Sequence, residues 1–377
     1  GWGLEISPFV YALSQTEIIV DYLFRAFWPH PLLLDYGFAY AVTAADVWPQ
    51  MLFIILLLVA SAVTLWLQPH VGFAAVAFFI LLSPTSSIVP IVTEVGAERR
   101  MYLPLIPLIA LVVYGVHALW QYKGWNGVVR NAVLSLVVAL FSGLTVKRNA
   151  EYATELSIWQ ATLAVAPENA RVYNNIGWLS TDYDQVTMNF RRAIELYPEW
   201  ILPRRNLATA FMLWDKVDSA AVYFRSALGI DHQDIDASAG LCEVLILGGS
   251  AEEAVDVCRK TAELDPWSPL YRARWGQALR VVGQSEMAER VLLDALKLGG
   301  DRSVALSELG FLYFQRNKLE KAEQYFRDAL LDNRAEFAAL YNLGILLKLT
   351  GRQGEAEQVL REAQQVDPDL WQRARGE

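Results

Sequence analysis

Six positions, Pro198, His232, Pro266, Gly300, Arg334 and Pro368, follow one another at an unbroken spacing of 34 residues. Each closes a segment with the same internal plan. In 301–334 a small residue, Gly310, is followed by Ala322, Phe326 and Ala329. In 335–368 the same places hold Gly344, Ala356, Leu360 and Ala363. Two alanines seven residues apart, with a large apolar residue between them, mark one face of a helix. The small residue upstream marks a second helix that must approach the first closely. A unit of two short helices cannot bury its apolar face alone, so such units stack on their neighbours. The expected fold class is therefore all-α, with a helical solenoid over 149–377.

A 34-residue helix–turn–helix period is that of tetratricopeptide repeats (TPR), and about six copies register here. The first full unit, 168–198, is short. Gly177 to Phe190 is 13 residues where the other units have 16, so three residues are trimmed from its first helix or its turn near Ser180–Gln185. Residues 149–166 read as an isolated second helix, with Trp159 in the large-apolar place, Thr162 in the alanine place and Pro167 as breaker, running on from the apolar segment before it. Asp369–Glu377 is too short for another helix pair and is expected to cap the last one, with Trp371 against it.

The first 150 residues are of another kind. Segments 51–67, 101–120 and 131–146 are long apolar runs, and 71–83 is a further one, broken at Pro84-Thr85-Ser86-Ser87 before Ile88–Val92 resumes. A bilayer core takes ~20 apolar residues in a helix, and broken helices survive there only where protein or water satisfies the freed backbone. The expectation is about four transmembrane spans over 49–148, one with a re-entrant end. Trp28, Trp48, Trp66 and Trp120 stand at the ends of apolar runs, as at a membrane interface. Over 8–28, Glu17, Asp21 and Arg25 share one helical stripe among apolar residues, which reads as a helix lying in the interface and ended by Pro29. Residues 1–48 are thus an interfacial helix and loop. Four crossings bring the 28–48 and 84–100 loops, with His30, Asp35, Glu94, Glu98, Arg99 and Arg100, to the side that carries the repeats. Basic residues near span ends, Arg99, Arg100, Lys147 and Arg148 against Lys123 and Arg130, give only a thin orientation signal that taken literally puts the repeats in the cytoplasm.

Charge separates the halves further. Residues 1–150 hold seven basic and seven acidic residues, so the remainder carries the whole net charge of −9. An acidic repeat region argues against nucleic acid, whose phosphates need Lys and Arg. The two cysteines, Cys242 and Cys258, occupy the small-residue place of one helix and the large-apolar place of the next, which face each other. Two readings stand: a buried pair of small apolar side chains, or a disulfide within one repeat in an oxidising compartment. Neither zinc nor a redox C-x-x-C fits the spacing.

The inner groove of such a solenoid is lined by the first helix of each pair. Two residues before the small position stand Asn175, Asn206, Gly240, Arg274, Glu308 and Asn342. An asparagine there offers both an amide donor and an acceptor to a peptide backbone. The candidate partner-binding residues are therefore Asn175, Asn206, Arg274, Glu308 and Asn342. His30 and Asp35 together fall short of a metal or acid–base site and read as loop structure. His117 lies inside an apolar run and is expected to pair with a neighbour. Residues 151–377 contain no phosphate loop, G-x-S-x-G or HExxH. No metal and no cofactor are expected.

Three segments, SPFVYALSQTEIIVDYLFRAFWPHPLLLDY (7–36), SPTSSIVPIVTEVGAERRMYLPL (83–105) and WQATLAVAPENARVYNNIGW (159–178), together resemble the C-terminal half of bacterial GT-C-type membrane glycosyltransferases ending in TPR repeats. These are relatives of the transmembrane-and-tetratricopeptide O-mannosyltransferases. The resemblance implies a bacterial inner-membrane protein with its repeats outside the cytoplasm, in the periplasm, and that orientation is preferred over the charge count. It implies that Arg100, with Arg99 beside it, contacts a lipid phosphate, chemistry that suits a guanidinium. Interfacial snorkelling at the start of a span is the plainer alternative. The family's catalytic carboxylates belong to an N-terminal membrane half that this chain does not include, and Arg99 stands where family members tend to carry His. The expected function is accordingly a membrane-anchored TPR scaffold, docking a protein partner or serving as an accessory subunit among membrane lipids and other integral subunits. The alternative is the C-terminal half of a GT-C protein O-glycosyltransferase with a lipid-phosphate sugar donor.

Overall fold

The computed structural model describes residues 7–31, 33–37, 43–84, 96–124 and 126–375. Among these the chain is all-α, with nineteen helices, and it divides into two compact units, Gly1–Pro198 and Glu199–Glu377. The first unit thus includes the first repeat.

In the first unit, α1 (Pro8–Phe27) starts at Ser7, whose side chain accepts from the Val10 amide, and stops before Pro29. Of its buried positions, Tyr11, Ser14, Gln15, Ile18 and Tyr22 follow helical spacing and make the inner stripe partly polar, and Leu13 is buried beside them. The acidic and basic residues Asp21 and Arg25 pair with each other at 2.6 Å. Ile18 and Tyr22 pack with Phe78, Leu82 and Met101 in one apolar cluster. The chain continues through α2 (Ala44–Leu67), α3 (Pro69–Leu82), a 3-10 turn at Glu98–Met101, α4 (Leu105–Lys123) and α5 (Gly127–Glu151). Helices α2, α4 and α5 are long and apolar enough to cross a membrane. Neither α4 nor α5 has a buried residue, so their apolar side chains, such as Val113 and Val138, face outward. Helix α3 has 14 residues, ~21 Å at 1.5 Å each, short of a ~30 Å hydrocarbon core. A single residue, Gln68, separates it from α2, and a Cβ on Gly72 would lie 2.0 Å from the Leu65 amide nitrogen, so only glycine permits this reversal. The resumed apolar stretch Ile88–Val92, Thr85–Ser87 and Glu94 lie outside the described residues.

The apolar helix does not run on into the repeats as expected. Helix α5 ends at Glu151, and α6 (Glu155–Val165) begins afresh after Tyr152-Ala153-Thr154. Thr154 Oγ1 accepts from the Ser157 amide at 3.0 Å and Ser157 Oγ from the Thr154 amide at 3.0 Å, a reciprocal cap that makes the break a defined start.

Six helix pairs follow: α7 (Ala170–Leu179) with α8 (Tyr183–Leu196), α9 (Ile201–Leu213) with α10 (Val217–Leu228), α11 (Ile235–Leu247) with α12 (Ala251–Leu264), α13 (Pro269–Val281) with α14 (Ser285–Ala295), α15 (Ser303–Gln315) with α16 (Leu319–Asp332), and α17 (Phe337–Leu349) with α18 (Gln353–Val366). The three residues missing from the first repeat come out of its first helix. Helix α7 has 10 residues where α9, α11, α13, α15 and α17 each have 13.

Within pairs the small–large places meet as the period demands. A Cβ on Gly310 would sit 2.6 Å from the Phe326 ring, on Gly276 2.6 Å from Leu292, and on Gly344 2.5 Å from Leu360. Phe326 and Leu292 are fully buried, each worth ~1.5–3 kcal/mol relative to exposure. In the 233–266 repeat the corresponding pair is Cys242 and Cys258, and they form a disulfide. The turn between the helices of each later pair is closed by one residue at positive φ: Asp215, Gly249, Gly283, Asn317 and Gly351, with φ of 57°, 74°, 80°, 58° and 82°. The following amides, from Lys216, Ser250, Gln284, Lys318 and Arg352, return to carbonyls five residues back, the bond that satisfies a helix end around a left-handed residue. The last helix, α19 (Pro368–Arg375), packs Trp371 edge-on against Tyr341, whose hydroxyl donates to the Ala374 carbonyl at 3.1 Å.

Candidate functional site

The candidate site residues lie on the first helix of each repeat, two places before its small residue. In the first unit, Asn175 is half-buried on α7 and its Oδ1 accepts from Asn174 Nδ2 at 3.2 Å. In the second unit the row has three chemistries. Asn206 and Asn342 are half-buried amides, and Asn342 makes no side-chain hydrogen bond among the described residues. Gly240 leaves a gap into which the Phe224 ring reaches, 2.3 Å from where a Cβ would stand. Arg274 and Glu308 are tied into ion pairs with the preceding repeat. Arg274 Nη2 lies 3.3 Å from Glu243 Oε1, and Arg280 Nε lies 2.6 Å from Glu308 Oε2. Glu308 is 8% exposed, and the Arg280 guanidinium lies 4.6 Å from the Phe311 ring centre. These two residues thus serve the joint between repeats, and the amide of Asn342 keeps its donor and acceptor capacity among the described residues.

Sequence reasoning missed a second row five places after the small residue: Leu213, Leu247, Val281 and Leu349, which are 72, 58, 43 and 68% exposed, with Gln315 at the remaining place. Their 34-residue spacing was the available signal. It also missed the inter-repeat ion pairs. Arg205 bridges Asp234 and Asp236 at 3.2 and 2.7 Å, and Arg225 meets Glu253 at 2.8 Å. Glu323 and Glu355 share Arg327 and Arg352 in a four-membered network. Exposed pairs contribute little singly, ~0–1 kcal/mol, yet they fix which repeat face meets which.

Electrostatics follow from these contacts. Hydrogen bonds from Tyr313 and Arg316 hold the Glu289 carboxyl below its ordinary range. The same bond, from Tyr313 Oη to Glu289 Oε1 at 2.6 Å, pushes the tyrosine up to about 12. Burial pushes Glu336, which precedes α17, upward despite Arg274 and the Ser303 hydroxyl.

In the first unit the segment that carries Ala97 and Arg100 packs against α1. Tyr22 Oη donates to the Ala97 carbonyl at 2.8 Å and accepts from its amide at 2.6 Å. Arg100 is buried, with Nη1 3.5 Å from Tyr11 Oη, and Arg99 is exposed. Asp35 lies in the loop between α1 and α2. It is buried and receives Gly37 N–H, Asn169 Nδ2 and Arg171 Nε at 2.7, 3.2 and 3.1 Å, which pins the loop to the start of α7. His117 pairs with Gln121 one turn on, at 2.9 Å. No group of three or more His, Cys, Asp or Glu that would suit a metal occurs among the described residues.

The family model for tetratricopeptide repeats matches residues 304–331 and 337–370. Protein O-mannosyl-transferase TMTC3 of Homo sapiens is 23% identical over 291 residues, covering 71% of this chain and 31% of that protein. Protein O-mannosyl-transferase Tmtc2 of Drosophila melanogaster is 32% identical over 121 residues, covering 30% of this chain and 12% of that one. The chain therefore spans about a third or less of the length of these relatives. Among solved structures, the anaphase-promoting-complex hetero-tetramer Cut9–Hcn1 aligns with a TM-score of 0.45 at 20% identity, over 57% of this chain and 43% of that one.

Proposed function

We infer from the TPR repeats, and from a distant similarity to the TMTC O-mannosyltransferases over them, that this chain works through protein partners. We propose that it is a membrane-anchored scaffold whose repeats dock a protein segment along the row of first helices, as an accessory part of a larger membrane assembly. The observation that carries this is the conjunction, among the described residues, of three membrane-length apolar helices with six helix pairs in one chain. The disulfide supports repeats that face an oxidising compartment outside the cytoplasm. The test places a photo-crosslinking residue at Asn342 and, separately, at Lys260 on α12, in the full chain in its native membrane. One discrete partner captured from position 342 and not from 260 is the expected result. Equal capture from both, or none from either, defeats the reading.

A second reading is favoured by the similarity to TMTC3: the chain is the C-terminal region of a protein O-glycosyltransferase in which Arg100 meets a lipid phosphate. Sugar transfer that survives Arg100→Lys but is lost in a folded Arg100→Gln variant of the complete protein would favour it over the scaffold. Unaltered transfer in Arg100→Gln would remove Arg100 from that role.

A further inference from the structure

We propose that a cavity at the C-terminal end of α5 holds the phosphate headgroup of an anionic phospholipid. The proposal rests on the reading of α5 as a membrane-crossing helix. The cavity, of 170 Å³, lies between the last turns of α5, the loop after α1, and α6. Along α5, Phe141, Leu144 and Arg148 line it at helical spacing, so one stripe passes from apolar to cationic. Seven residues of helix cover ~10 Å, comparable to the ~5–8 Å polar layer that caps each side of a bilayer core. Val165 of α6 and Pro31 close the apolar wall.

The two cations at the mouth differ. Arg148 is committed to the fold: its Nη1 lies 2.8 Å from Glu151 Oε2, and its guanidinium stacks 4.8 Å from the Tyr152 ring centre. Lys147 lines the same cavity, is exposed, and makes no ion pair among the described residues. With Arg148 offset by Glu151, the charge left at the mouth is that of Lys147, matched by one phosphate. The volume is below the ~300 Å³ of a drug-sized site, so it suits the headgroup end of an amphiphile and not the whole molecule. Acyl chains would lie along α5, where Leu134 and Val137, seven and four residues before Phe141 on the same stripe, are 51 and 41% exposed. A free phosphate would have use for the lysine but none for Phe141 and Leu144, which is why a lipid is the chosen occupant.

The test reconstitutes the full chain into nanodiscs of phosphatidylcholine with a minority of phosphatidylglycerol, and counts retained phosphatidylglycerol by native mass spectrometry. The wild type should retain it selectively. Lys147→Gln should lower retention roughly tenfold, a factor worth ~1.4 kcal/mol, and Phe141→Ser should lower it too, while Lys123→Gln at the end of α4 leaves it unchanged. Unfolding temperature in pure phosphatidylcholine serves as the folding control. Unchanged retention in Lys147→Gln, an equal loss in Lys123→Gln, or displacement of the lipid by inorganic phosphate alone would each overturn the proposal. A chain that enters the nanodiscs without selectivity defeats only this site, whereas one that fails to enter them defeats the membrane reading as well.

Discussion

Asn169 and Asp35, 134 residues apart in the chain, are joined twice: Asn169 Nδ2 donates to the Asp35 carbonyl at 3.0 Å and to its carboxylate at 3.2 Å. Arg171 adds an ion pair, and the Gly37 amide closes the loop on the same carboxylate. Asp35→Ala leaves these donors with no acceptor in a buried place, at a cost of about 1–3 kcal/mol. Hydrogen exchange should report lost protection at Gly37 and over α7, with Asp35→Asn intermediate because it keeps acceptor capacity and loses only the charge. Unaltered exchange at both places would show that the loop is held by something else.

The bond between Cys242 and Cys258 closes a span of 16 residues, for which loop entropy predicts about 3 kcal/mol. Reduction, or replacement of both cysteines by serine, should lower the stability of the α11–α12 pair by up to that amount. A mild reductant should shift chemical unfolding of the wild type and leave the double variant unmoved. Peptide mapping without reductant should recover the two cysteines in one linked fragment, and two free thiols there would refute the bond.

Left-handed backbone costs a residue with a Cβ ~1–2 kcal/mol, and Gly283 adopts it at φ 80°. Gly283→Ala should therefore destabilise its turn by about 1–2 kcal/mol. Asn317→Gly, at the same phase and φ 58°, should be neutral or slightly stabilising, since asparagine bears only part of that strain. Urea unfolding of the two variants checks the pair, and equal effects would mean that backbone handedness does not govern the turn.

Acid and neutral pH should act oppositely on two carboxylates. Glu289 is held low by bonds from Tyr313 and Arg316. Its contribution is present above its unfolded value and is lost as pH falls through the lowered folded one. Glu336 is pushed above 4.5 by burial. Its contribution is complete below its unfolded value and is lost as pH rises through the raised folded one. Glu336→Gln should flatten the decline in stability from mildly acidic to neutral pH, and Tyr313→Phe should lessen the loss on the acid side. Stability measured by denaturant titration across that range would contradict the assignment if either slope stayed as in the wild type.

Much of the repeat half was readable because its determinants are local and recur. The 34-residue phase placed Gly310 opposite Phe326 and Cys242 opposite Cys258, and the 13-residue interval from Gly177 to Phe190 announced three residues missing from the first helix or its turn, of which α7 proves to be the one shortened. What escaped depends on partners distant in sequence or on backbone detail. Whether two facing thiols are bonded is not a matter of spacing. Arg274 and Glu308 look available on a helical wheel, yet their charges are taken by Glu243 and Arg280 of adjacent repeats. Asp35 looked like a loop residue and is one, but its grip on Asn169 lies beyond any local pattern. The break before α6 turned on the Thr154–Ser157 cap, a weak signal inside a continuous helical stretch.

The left-handed turns at Asp215, Gly249, Gly283, Asn317 and Gly351 have a consequence for how such a chain can be copied. Each 34-residue cassette carries its own reversal, so duplicating or deleting one leaves every other turn intact. The ion pairs set a coarser rule. Arg225–Glu253 and Arg327–Glu355 are the same contact displaced by three repeats, so a shift of three cassettes restores that one pair, while Arg205, which meets Asp234, is replaced by Ser307 on the same shift. Gene duplication in this array has a grammar: the turns allow any number of words, and the charged seams decide which words can stand side by side.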